Sequence, residues 1–169
     1  KLEDWEEKWQ MKFHPKKCSV LRISRKKSPL IHHYKLHDHI LETETDSKYL
    51  GVSINNKLCW NNHIDDMCKK ANSSLAFLRR NLQISQQHIK EKAYTTLVRP
   101  QLEYAASVWD PYSKQKQQQI EIVQRRAARF VCRNYSREAS VTVMLEGLKW
   151  RSLQQRRADI RLVMFYKCL

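Results

Sequence analysis

Residues 61–82, "NNHIDDMCKKANSSLAFLRRNL", decide how the rest of the chain is read. Ile64, Met67, Cys68, Ala71, Leu75, Leu78 and Leu82 recur at steps of three and four, so they form one apolar stripe on a helix. From Trp60 onward this period persists. Ile89, Ala93, Tyr94 and Leu97 predict a second helix, with Ser85 as its N-cap. Pro100 lacks a backbone N–H, so "RPQLEYAASVWDP" is expected to begin a new helix that ends before Pro111. "KQKQQQIEIVQRRAARFVCRNY" and "WRSLQQRRADIRLVMFYKCL" supply two more amphipathic patterns.

Upstream of Trp60 the pattern differs. Leu2, Trp5, Trp9 and Phe13 predict an N-terminal helix that stops at Pro15. "CSVLRIS" and "KYLGVSI" alternate with period two, and "HDH" between "YKL" and "IL" reads as a hairpin turn. The expected fold is therefore α+β: an N-terminal helix and a small antiparallel β unit over about 18–54, then a mainly helical remainder. Two parts follow, 1–58 and 59–169.

The charge is the second constraint. Thirty-two Lys and Arg against 17 Asp and Glu give +15 over 169 residues, which favours a polyanionic partner. Nucleic acid is the first candidate and an anionic membrane the second. Arg79, Arg80, Arg125, Arg126, Arg129, Arg133, Arg156, Arg157 and Arg161 are placed on helices whose opposite faces are apolar, where they would meet phosphates regardless of sequence. The alternative is a solvated basic surface. No apolar run reaches the roughly 18 to 20 residues needed to span a bilayer, so no membrane partner is expected, and the setting is read as intracellular, cytoplasmic or nuclear.

Several chemistries find no support. Gly51 and Gly147 are the only glycines, which excludes Gly-rich phosphate loops. The five cysteines, an odd number at wide spacings, are expected to be reduced and buried, and no zinc-finger spacing occurs. His32, His33, His37 and His39 cluster without a Cys or carboxylate at ligand spacing and are read as structural or solvated. The acid pair Asp65–Asp66 sits at a helix start and is not read as a metal site. Trp60, Trp109 and Trp150 are read as core anchors.

The ordered blocks "FHPKKCSVLRIS" (13–24), "YLGVSINNKLCWNNHI" (49–64), "LVRPQLEYAASVWDP" (97–111) and "IEIVQRRAARFV" (120–131) carry more information than any one alone. Together they resemble the region downstream of the catalytic Y/F-x-D-D box in reverse transcriptases of non-LTR, LINE-type, jockey-like retrotransposons. The resemblance covers nearly the whole chain. It implies that 1–13 close the palm and that 14–24 carry a lysine near the incoming nucleotide. That lysine matches Lys17, which could serve as a general acid or a phosphate contact. His14 stands where the family usually has Asn. The same resemblance makes Tyr49, Leu50, Gly51 and Val52 part of a primer-grip hairpin and the helices after Trp60 a thumb with its C-terminal extension. Its partners would be RNA or an RNA–DNA hybrid as template–primer, and the remaining palm and fingers. Mg²⁺ is expected only in an intact polymerase, because the carboxylates that hold two metal ions are not in this segment. The chain is thus expected to bind template–primer without catalysis of its own. Its rivals are an independent nucleic-acid-binding module derived from such an element and a helical protein-interaction domain. A start at "KLEDWEE" without Met fits a fragment. Leu50 and Val52 are expected to share a buried face, so that Leu50→Asp would unfold the hairpin.

Overall fold

A computed structural model describes all 169 residues. The chain divides into two compact units, Lys1–Trp60 and Asn61–Leu169.

The first unit opens with α1, Leu2–Trp9, shorter than the apolar pattern predicts. Gln10 turns left-handed (φ 53, ψ 33) and returns its N–H to the Glu6 carbonyl, which closes the helix. Phe13 nevertheless meets Trp5: the rings stack at 5.3 Å, brought together by the turn and not by the helix. The Glu6 carboxylate, buried, accepts the Phe13 N–H and lies 3.0 Å from His37 Nε2. A 3-10 turn, Pro15–Lys17, leads into β1, Ser19–Leu21. Next come β2, Lys35–Leu36; β3, His39–Ile40; β4, Glu42–Glu44; β5, Asp46–Tyr49; and β6, Val52–Asn55.

The β2–β3 pair is the hairpin expected around "HDH", with His37 at φ 52 in its turn. The β5–β6 pair is antiparallel too, with Tyr49 opposite Val52. The exception is β1–β4, which runs parallel with Val20 opposite Thr43. Parallel pairing needs a crossover, and residues 22–41, carrying the β2–β3 hairpin, provide it.

In the second unit α2 spans Asn61–Asn81 and buries Ile64, Met67, Cys68, Ala71, Leu75 and Leu78, as its stripe predicts. Helix α3, Gln87–Ala93, starts one residue later than expected, on Gln86, with no side-chain cap. A π-helical turn, Tyr94–Val98, joins it to α4, Arg99–Glu103. Pro100 therefore lies inside a continuous helical path and does not open a new one. The wider turn before it accommodates the missing N–H. The path breaks at Ala105, which is left-handed (φ 52), before α5, Ala106–Trp109. The buried stripe here is Lys90, Tyr94, Val98 and Leu102, while Ile89 and Leu97 are exposed. Helix α6, Lys114–Val131, buries Ile120, Val123, Ala127, Ala128, Phe130 and Val131. The short α7, Val141–Gly147, has no counterpart in the sequence reading. Finally α8, Leu153–Lys167, is capped by Ser152, whose side chain accepts the Gln155 N–H.

Trp109 is wholly buried with its Nε1–H donating to the Tyr104 carbonyl at 2.7 Å. Trp150 stacks on Tyr94 at 4.5 Å and donates to Glu91 Oε1 at 3.0 Å. Trp109 anchors the core as expected, whereas Trp150 and Trp60 are each half-buried. All five cysteines are free. Cys68 is buried, which pushes its thiol up to about 11, but Cys59 and Cys168 are exposed, contrary to the expectation of buried thiols. No helix is long and apolar enough to cross a membrane.

Candidate nucleic-acid interface

The nine arginines that the sequence groups together fall into three environments. Arg79, Arg80, Arg125 and Arg126 are exposed on α2 and α6. Arg126 donates to Asn72 Oδ1 at 2.9 Å and thus lines the groove between these helices with Asp65, Lys69, Asn72, Gln119 and Ile122. Arg79 lies over the Tyr135 ring at 5.3 Å, a cation–π contact that leaves the guanidinium edges open.

Arg129 and Arg133 serve as ties. Half-buried Arg129 donates to the Ser136 carbonyl at 2.8 Å and to that of Ala139 at 3.5 Å, which fixes the loop before α7. Arg133 lies past the end of α6 in a left-handed conformation (φ 51) and donates to the Gln83 carbonyl, its side chain still exposed.

Arg156, Arg157 and Arg161 face acids. Arg156 forks onto Glu103, whose hydrogen bond raises the arginine's pKa further. Arg157 has no exposed surface and sits 2.7 Å from Asp110 Oδ1, with Arg161 at 3.0 Å from the other carboxylate oxygen. Arg157 is thus withdrawn from any outer ligand, which corrects its assignment to a phosphate-contacting surface. Its periodicity gave no warning, because an arginine and an apolar residue at one helical position differ only in the partner that the fold supplies.

The acid pair is likewise spent on packing. Asp65 accepts from Lys116 at 2.5 Å and Gln119 at 2.7 Å, joining α2 to α6, and these hydrogen bonds hold its carboxyl below the usual range. Asp66 pairs with Lys69 at 3.5 Å. No group of three or more His, Cys, Asp or Glu side chains is placed to hold a metal ion, and the residues present do not fit a two-Mg²⁺ centre.

In the first unit Lys16 and Lys17 are exposed at the mouth of a 290 Å³ pocket, opposite His39, Glu42 and Glu44. Gly51 at φ 82 and Leu50 at φ 47 form the two-residue tip of the β5–β6 hairpin, the type I′ pattern in which both central residues have positive φ. Leu50 is 72% exposed, so it does not share a buried face with Val52, which is 6% exposed. The turn interrupts the two-residue alternation on which that expectation rested. Tyr49 is exposed as well.

Sequence reasoning missed Lys90, the buried lysine of α3. The signal available was its place in the four-residue spacing Lys90–Tyr94–Val98–Leu102, with no acid three or four positions away.

A transposon polymerase is similar to this chain. It is a Drosophila melanogaster protein described as a probable RNA-directed DNA polymerase from transposon BS. The two are 26% identical over 137 residues, 77% of this chain and 15% of that protein, so the chain spans a small part of its relative's length. This likeness supports a reverse-transcriptase-like origin. No family model matches the chain, and no solved structure does.

Proposed function

We propose that this chain is the part of a non-LTR retrotransposon reverse transcriptase that follows the catalytic box, and that it binds template–primer without polymerising alone. The observation that carries the reading is the similarity to a transposon RNA-directed DNA polymerase over 77% of the chain. In this reading α1 closes the palm, Lys17 approaches the incoming nucleotide, the β5–β6 hairpin with Tyr49, Leu50, Gly51 and Val52 is the primer grip, and α2 to α8 form the thumb and its extension. The exposed tip of the hairpin is compatible with contact to a primer strand.

Catalysis alone is not expected, since Asp65 and Asp66 are engaged by Lys116 and Lys69 and offer no paired carboxylates for metal. Arg125 and Arg126 supply a sequence-independent phosphate face on α6, with Arg79 and Arg80 on α2. A hybrid duplex of A-like shape suits recognition by backbone contacts.

The test measures both halves. The chain with primer–template, Mg²⁺ and nucleotides gives no extension above a no-protein control. Its log affinity for an RNA–DNA hybrid falls linearly with log salt, by about 0.7 to 0.9 per phosphate neutralised. Arg125→Gln with Arg126→Gln lowers affinity similarly for unrelated sequences and flattens that slope by about one to two units. Extension, or binding indifferent to salt, defeats the proposal. A second reading, docking of another protein, draws on the exposed Leu162, Val163, Met164 and Phe165 of α8. It becomes the better one if the double variant and the parent bind nucleic acid equally weakly.

A further inference from the structure

One pocket in the second unit collects cations without an acid. It measures about 570 Å³ and is lined by Arg79, Arg80, Lys90, Phe130, Arg133 and Tyr135. Its distinctive member is Lys90, 1% exposed. The ammonium donates once, to the Gln83 carbonyl at 3.2 Å, and lies 5.4 Å from the centre of the Phe130 ring. Arg133 donates to the same carbonyl. Two cations thus converge on one oxygen.

Buried charges ordinarily sit against a counter-charge, because desolvation is costly. An ammonium carries three donors, and here one is used within the protein. No carboxylate lines the pocket. Burial first, and then the Arg133 charge, lower the Lys90 pKa, so an arriving anion would relieve both penalties by restoring a partner to the charged form. Arg79 and Arg80, exposed, extend the positive field to the mouth, and Tyr135 holds Arg79 in place from the rim.

We propose that this pocket binds a phosphate group, supplied by a nucleic-acid strand, with Lys90 and Arg133 as its inner donors and Arg79 and Arg80 as its outer ones. The strand as source rests on the reading under Proposed function; the phosphate chemistry does not. A monoanionic or dianionic tetrahedral group accepts several hydrogen bonds at once, which matches donors arriving from α2, α3 and the residue past α6. Arg125 and Arg126 do not line this pocket, so the two sets of cations can be removed separately.

The experiment uses the full chain and four proteins: the parent, Lys90→Gln with Arg133→Gln, Arg79→Gln with Arg80→Gln, and Arg125→Gln with Arg126→Gln. Affinity for an RNA–DNA hybrid is read by fluorescence anisotropy over a salt series. Melting temperature is read in sodium chloride and in inorganic phosphate at equal ionic strength. Each pocket variant is expected to flatten the salt slope by about one to two units. Phosphate is expected to raise the melting temperature of the parent and of the Arg125/Arg126 variant above their chloride values, and to leave both pocket variants unmoved. If both pocket variants keep the parent slope, the strand-phosphate site is overturned while the α6 reading stands. If the parent binds no hybrid, the reading under Proposed function fails and the melting arm decides: a phosphate-specific rise lost in the pocket variants retains a site for free phosphate, and no rise overturns it. Should Lys90→Gln fail to fold, the Arg79/Arg80 variant, whose side chains are exposed, tests the same pocket by the same two measurements.

Discussion

In the first unit the buried side chains are Glu6, Leu36 and Val52, whereas the second encloses Tyr94, Leu102, Trp109, Ile120 and Leu153 with no exposed surface at all. The strands of the first unit are two to four residues long and occur as separate pairs. Pairs of that size are marginal in water. What holds them is a set of polar ties: Glu3 accepting the His37 N–H at 2.8 Å, the Glu6 carboxylate on Phe13, and Asn55 donating to Asp46 at 2.9 Å. The second unit instead buries a continuous apolar interior crossed by a few ion pairs. Apolar burial contributes about 25 cal/mol per Å², and hydrogen-bonded ties about 0.5 to 1.5 kcal/mol each, so the two units differ in kind as well as degree.

The largest expected effect separates them outright. Residues 61–169 expressed alone should melt cooperatively by circular dichroism, and residues 1–60 alone should show no cooperative transition. A sharp melt for 1–60 would mean that the polar ties suffice. Within the second unit, Asp110→Asn should cost about 3 to 5 kcal/mol in urea denaturation, since Arg157 would be left buried without its carboxylate. A loss under about 1 kcal/mol would mean that water reaches the guanidinium.

A smaller effect belongs to Asp65. Its folded pKa lies below the unfolded value, so its contribution is present above the unfolded pKa and is lost as pH falls through the folded one. Asp65→Asn should therefore flatten the decline of stability below about pH 4. Because the Asp65 side chain is 38% exposed, solvent screening keeps the difference under about 1 kcal/mol. An unchanged acid limb would show the Lys116 contact to be energetically silent. The smallest effect is at Leu50. Leu50→Asp should shift stability by no more than about 0.5 kcal/mol, as Asp-Gly suits a type I′ tip better than Leu-Gly does. Loss of the β5–β6 hairpin in that variant, seen by amide exchange, would contradict the exposed placement.

What the sequence revealed follows the same division. The apolar stripes of α2 and α6 were visible because a deep core demands the 3.6-residue period over many turns. The "HDH" turn was visible because local chemistry decides it. The parallel β1–β4 pairing was not, since nothing in "SVL" or "ETE" records a distant partner. Helix α7 is too short to display a period. The basic residues were found as a class but not sorted, because only tertiary partners such as Asp110, Glu103 and the Gln83 carbonyl distinguish Arg157, Arg156 and Lys90 from the exposed Arg125.

The π-helical turn at Tyr94–Val98 carries a consequence for how this chain diverges. Such a turn is equivalent to one residue inserted into an α-helix, and it preserves the four-residue beat of Lys90, Tyr94, Val98 and Leu102 that an α-helix would let drift. Deleting one residue there would restore regular winding, and Lys90 and Leu102, then eleven residues apart at about 100° per residue, would still face within roughly 20° of each other. Lys90 would keep its place beside Phe130. A single-residue gap between Ala93 and Arg99 should therefore leave the buried face of this path in register, whereas the same gap in the regular winding of α2 would rotate its stripe by about 100°.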